Sequence, residues 1–138
     1  MTERGKTRRV LFTVLTVLWL AVIWGHSLMP AVVSKQESGG ILALLIGTFP
    51  FLTDHMIRKA AHFAEYAVLG GLLFGATAGG KRSPAFPPLM GLLTAMTDET
   101  IQLFSEGRSG QISDVWLDFS GFLLVWGILT LIRRAKRS

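Results

Sequence analysis

Residues 56–78 read MIRKAAHFAEYAVLGGLLFGATA. A helix of this length can cross about 30 Å of hydrocarbon at about 1.5 Å of rise per residue. Its second half, from Val68 onward, holds no ionisable side chain, whereas its first half carries Arg58, Lys59, His62 and Glu65 beside Tyr66. A charge at bilayer depth costs about 2.5–3.5 kcal/mol on the insertion scale, so such residues face a cavity or one another and mark a working site. Helical spacing places Lys59, His62 and Tyr66 on one stripe and makes His62 and Glu65 an i,i+3 pair. The stretch therefore predicts a membrane helix that is oily at one end and wet along one side at the other.

The rest of the chain supports that setting. Half of the 138 residues are hydrophobic and 17% are charged, with a mean hydropathy of +0.47. A soluble domain spends about a quarter of its residues on charge, so this chain reads as a small integral membrane protein. Its length predicts a single domain over residues 1–138. The absence of cysteine excludes disulfides, thiolate metal sites and a cysteine nucleophile. Three further apolar runs occupy residues 10–29, 87–104 and 115–132, and a shorter one, residues 41–52, has Gly47 and Pro50 near its end. The shorter run fits an interfacial or re-entrant segment. The expected fold is all-α, a bundle of four transmembrane helices with a short interfacial or re-entrant segment between the first two. The first run, preceded by basic residues, also resembles a signal peptide, but residues 25–30 lack a small-x-small pattern, and a retained anchor is expected.

Cations orient the bundle, because cytoplasmic flanks carry excess Lys and Arg. With both termini cytoplasmic, Arg4, Lys6, Arg8, Arg9, Lys81, Arg82, Arg133, Arg134, Lys136 and Arg137 lie inside, ten of the fourteen cations, leaving Lys35, Arg58, Lys59 and Arg108 outside. The basic residues stand at the ends of apolar runs rather than on one polar face, so no nucleic-acid partner is expected. On this topology Asp98, Glu99 and Gln102 close the third span near the outer face of the cytoplasmic membrane, and Asp114 and Asp118 open the fourth. Eight of the nine acidic residues and all three histidines gather in that outer layer. Interhelical polar contacts are worth only about 0.6–2 kcal/mol each, and simple packing needs fewer of them, so the excess favours a site. Ala67, Gly71, Gly75 and Gly79 form a small-xxx-small stripe that predicts close helix packing. Trp19, Trp24, Trp116 and Trp126 read as interfacial anchors.

These residues also carry a family resemblance. The stretch Arg58-Lys59-Ala60-Ala61-His62-Phe63-Ala64-Glu65-Tyr66, the stretch Asp98-Glu99-Thr100-Ile101-Gln102-Leu103-Phe104, and Arg108 followed by Asp114, Asp118 and Gly121 together resemble the VanZ-like membrane proteins. The segment with Ser27, Pro30, Ser34 and Ser38 is similar to the serine-rich segment of that family. The resemblance implies an association with resistance to teicoplanin-type glycopeptide antibiotics, acting at the bacterial envelope. It assigns no catalytic residues.

The residues themselves support two functional expectations. In the first, the protein binds or modifies an anionic membrane lipid or lipid-linked cell-wall precursor. Lys59 and Arg108, with Arg58 beside them, hold phosphate, and Glu65, Asp98, Glu99, Asp114 and Asp118 position those cations or ligand hydroxyls, with Tyr66 and Gln102 completing the pocket. In the second, the same cluster is a hydrolase or transferase acting on a lipid headgroup: His62 is the general base, oriented by Glu65 or Asp98, and Ser27 and Ser113 are unsupported nucleophiles. No metal or other cofactor is expected, because one intramembrane histidine gives neither paired Glu-x-x-His helices nor a His-Glu-x-x-His motif. An ion pathway is disfavoured, since residues 68–75 and 125–132 hold no ionisable group to continue a relay.

Overall fold

A computed structural model describes residues 3–80 and 83–136. Lys81, Arg82 and Arg137, counted above among the inner cations, lie outside the described residues. Five helices follow one another: α1 (Glu3–Leu28), α2 (Ala31–Leu45), α3 (Asp54–Thr77), α4 (Phe86–Gln102) and α5 (Ile112–Ala135), with no strand among the described residues. Two of them, α1 and α5, are long and apolar enough to cross a membrane. At 17 residues α4 is shorter, and α3, though 24 residues long, begins with the charged half described above. The all-helical expectation stands, and the four-span arrangement goes beyond what helix length and composition establish.

Local chemistry sets the helix ends. Pro30 separates α1 from α2, supplying a fixed φ and no N–H donor. Thr53 caps α3, its hydroxyl accepting from the Met56 N–H at 3.2 Å, with Asp54 in the positive first turn. Proline opens α4, where a missing N–H costs no intrahelical bond. Asp114 in the first turn of α5 and Arg133 and Arg134 in its last both complement the helix dipole. The turn between α4 and α5 requires Gly107 at φ +71°, in the left-handed region that glycine occupies without strain. The segment expected over residues 41–52 is only partly helical: residues 41–45 are the end of α2, which begins ten residues earlier at Ala31 because the polar run 34–38 continues the helix, and residues 46–52 form turns.

At the centre of the bundle, α3 packs against all four other helices and most extensively against α5. The closest approach is backbone to backbone. A β-carbon at Gly70 would overlap the Phe122 carbonyl oxygen, and one at Gly121 would overlap the carbonyl oxygen of Phe63. Small residues at helix crossings permit this approach. The α3 position pressed on the α5 backbone is thus Gly70, one residue before Gly71 of the predicted stripe. Of that stripe, Gly71 meets Val125 in ordinary contact, Gly75 abuts the Phe12 ring of α1, and Gly79 leaves the helix with φ +74°.

The core comprises Ile23, Tyr66, Leu69, Leu73, Ala95 and Phe122, with the Phe119 and Phe122 rings stacked 6.2 Å apart. Trp19, Trp24 and Trp126 pack against it, whereas Trp116 is exposed, so one of the four tryptophans fits the anchor expectation. The distribution of polarity runs opposite to that of a soluble protein. Asp98, Glu99, Gln102 and Asp118 are buried, while Val17, Leu18, Leu89, Leu124 and Leu131 face outward. Water-soluble domains almost never bury unpaired Asp and Glu, and they avoid large exposed apolar surfaces.

Candidate functional site

One end of the bundle collects the C-terminal end of α1, the first turns of α3, the last turns of α4, the α4–α5 loop and the start of α5. Here a cavity of about 240 Å³ is lined by Lys35, Arg58, Lys59, His62, Glu99, Gln102, Arg108, Asp114 and Asp118. His62 of α3, Glu99 of α4 and Asp114 of α5 therefore share one space. The opposite end of the bundle carries Lys6, Arg9, Arg133, Arg134 and Lys136.

Arg108 is the organising cation. Its Nη1 donates at 2.8 Å to the His26 carbonyl in the last turn of α1, which also accepts from the Met29 N–H at 3.1 Å. A guanidinium there also complements the negative end of the α1 dipole. Its Nη2 lies 3.3 Å from Nε2 of His62. Burial pulls the Arg108 pKa below its ordinary value, and neighbouring Asp98 pushes it back up. Lys59 pairs with Asp114 at 2.5 Å, joining α3 to α5, and Arg58 pairs with Asp54 at 3.5 Å.

The carboxylates divide into those with partners and one without. Glu99 accepts from the backbone N–H of Gln111 at 2.8 Å and from Gln102 at 3.0 Å, which ties the α4–α5 loop back onto α4. Asp98, fully buried, accepts from the Ser27 hydroxyl and from Gln102 at 3.4 Å. Glu65 accepts at 2.5 Å from His26 Nδ1, and Trp19 donates to its backbone carbonyl at 2.9 Å. Asp118 is buried with neither carboxylate oxygen hydrogen-bonded among the described residues. His62 Nδ1 stands 3.8 Å from Asp98 and 3.9 Å from Glu65, both beyond hydrogen-bond reach, and has no partner either. The orientation of His62 by Glu65 or Asp98 expected from sequence is thus a proximity and not a hydrogen bond.

Of the predicted site residues, Lys59, Gln102, Arg108 and Asp118 line the cavity, as do the candidate base His62 and the carboxylates Glu99 and Asp114. Glu65 lines a neighbouring cavity shared with His26, His62 and Arg108. Tyr66 turns into the core and Asp98 lies behind the cavity wall. His26 and Lys35 are site residues that sequence reasoning did not select. His26 sits at the end of the first apolar run and Lys35 on a helix that was not expected there, so neither carried the signal of a charge within an apolar helix.

Fold and site define a small helical membrane protein whose buried ionisable residues converge at one end of the bundle. The VanZ/LLP1 family model matches residues 12–133, most of the chain, and the protein belongs to that family. No curated protein and no solved structure matches it.

Proposed function

We propose that this VanZ-like protein binds an anionic lipid-linked molecule of the bacterial envelope, holding its phosphate-bearing headgroup in the charged cavity. In this reading α1, α3, α4 and α5 all cross the cytoplasmic membrane, both termini are cytoplasmic, and the cavity opens on the outer face. One observation carries the proposal: the four cations assigned to the outer side by charge bias, Lys35, Arg58, Lys59 and Arg108, come from two helices and a loop and line the same cavity. A space of about 240 Å³ suits a headgroup, whereas drug-sized ligands fill about 300–1,000 Å³. The acyl chains of such a ligand remain in the surrounding bilayer. Arg108 offers a planar fork to phosphate and Lys59 a point charge, released from Asp114 as the anion arrives. In this reading the protein contributes to glycopeptide resistance of the teicoplanin type, a role supported by its membership of the VanZ/LLP1 family, and drug susceptibility is the phenotype to follow.

The competing reading, a hydrolase or transferase with His62 as general base, draws support from the place of His62 in the cavity lining. Against it, Nε2 of His62 lies 3.3 Å from Nη2 of Arg108, whose N–H groups can only donate to it. Binding is the better-supported function.

Native mass spectrometry of the full chain released from membranes in mild detergent tests the proposal. An anionic lipid adduct is expected in the wild type, reduced together in Lys59→Gln and Arg108→Gln and partly restored in Arg108→Lys. Equal adduct levels in wild type and both Gln variants refute the proposal. For the enzyme reading, a catalytic base loses about a hundredfold in turnover on His62→Ala, and unchanged headgroup turnover eliminates His62 from that role.

A further inference from the structure

Asp118 is 1% exposed, and neither of its carboxylate oxygens is hydrogen-bonded among the described residues. Leaving one charged group buried without a partner costs several kcal/mol. Its company is specific. One oxygen of Asp118, one oxygen of Asp98 and a ring nitrogen of His62 all lie within 4.8 Å of one another. Nδ1 of His62 is 3.8 Å from Asp98 Oδ2 and is also without a hydrogen bond among the described residues. Nearby cations are committed elsewhere, Lys59 to Asp114 and Arg108 to the α1 carbonyls and the far side of the imidazole. Two buried carboxylates and an unengaged imidazole nitrogen thus surround a point at which positive charge is missing.

We propose that His62, Asp98 and Asp118 form a binding site for a divalent transition-metal cation of the zinc or manganese class. Imidazole favours zinc and its neighbours in the series, carboxylate oxygen favours manganese and harder ions, and the mixed set selects cations that accept both. Four-coordinate zinc with bonds of about 2.0–2.2 Å holds its ligand atoms roughly 3.3–3.6 Å apart, so the His62–Asp98 pair, at 3.8 Å, closes by only a few tenths of an ångström on loading. His62 and Asp118 also line the charged cavity, which provides the route in and room for water to complete the shell. The Ser27 hydroxyl and Gln102 amide already donate to Asp98, the outer contacts that orient a ligating carboxylate. No linear motif announces the site because its ligands come from α3, α4 and α5. It requires no lipid ligand, so it stands or falls separately from the proposed function.

Coordination has a consequence for Arg108. A metal on Nδ1 leaves the imidazole proton on Nε2, opposite the Arg108 N–H groups, and two donors cannot bond. The guanidinium must therefore release the ring, and removing it favours the metal.

The test uses untagged full-length protein in mild detergent, stripped with EDTA and dialysed against Zn²⁺ or Mn²⁺ with Mg²⁺ in excess. Metal per chain is measured by mass spectrometry of the elements, and affinity by competition with a chromophoric chelator. About one ion per chain is expected, with Kd raised by at least about tenfold in His62→Ala and in Asp118→Asn, and lowered a few-fold in Arg108→Gln. Bound Mn²⁺ should also show hyperfine coupling to one nitrogen nucleus, a measurement that needs no variant. A wild type that takes up no stoichiometric ion overturns the site, as does unchanged affinity in both ligand variants or the absence of nitrogen coupling. Infrared detection of a protonated carboxyl group that Asp118→Asn removes, in protein exposed to the metals, would identify a proton as the missing charge and would equally overturn it.

Discussion

The α3–α5 crossing and the charged end of the bundle solve the same problem in opposite ways. At the crossing, Gly70 and Gly121 bring backbones into direct contact over a core of Leu69, Leu73 and Phe122. At the charged end, α2, α3, α4, α5 and the α4–α5 loop surround a cavity, and the buried atoms without hydrogen-bond partners among the described residues include His62 Nδ1, Glu65 Oε2 and both oxygens of Asp118. A buried polar group left unsatisfied costs about 1–3 kcal/mol. The crossing supplies rigidity, and the charged end spends some of it on groups arranged for something other than stability. Sites of this kind are typically where a protein departs from its most stable arrangement.

Substitutions should separate the two regions. The largest effect is expected at the crossing, where Gly121→Ala places a methyl group on the Phe63 carbonyl oxygen and forces the helices apart. Overpacking costs about 1–3 kcal/mol and often more when backbone must move, to be read as a drop in the melting temperature of the detergent-solubilised protein. Gly127→Ala on the same helix meets nothing within 4 Å and should leave stability unchanged or raise it, through the helix propensity of alanine. Equal losses at Gly121 and Gly127 would break the comparison. An intermediate effect is expected for Ser27→Ala, which removes the hydroxyl donor from fully buried Asp98 and should cost about 1–3 kcal/mol in the same assay. The smallest effect belongs to Lys59→Gln. The Lys59–Asp114 pair is partly exposed, with side-chain exposures of 32% and 24%, and such pairs are worth about 0–1 kcal/mol. A large stability loss there would move Lys59 from ligand binding into the scaffold.

Much of the fold was legible because apolar runs report helices directly. The four long runs lie within a few residues of α1, α3, α4 and α5 except at the start of α1, which extends through the polar residues 3–9. The site was legible for a related reason: Lys59, His62, Asp98, Glu99, Asp114 and Asp118 are conspicuous within oily helices, and all but Asp98 line the cavity. What escaped depended on helix rotation and loop path. The contacts of Arg108 with α1 and of Glu99 with Gln111 join residues far apart on the helical wheel or in separate elements. The four-residue stripe includes Gly75, which meets the Phe12 ring of α1, but misses Gly70, which the crossing with α5 selects rather than Gly71. The grouping of His62, Asp98 and Asp118 draws one residue from each of three helices, which no spacing rule along a single helix reveals.

The central claim is that the charged cavity opens to the exterior of the membrane. A chain without cysteine permits a direct test by single-cysteine labelling. Ser109→Cys at the cavity rim and Ser83→Cys beside the opposite end, both exposed positions, are treated in intact cells with a membrane-impermeant maleimide. The account predicts labelling of Ser109→Cys in intact cells and of Ser83→Cys only after permeabilisation; the reverse pattern would contradict it.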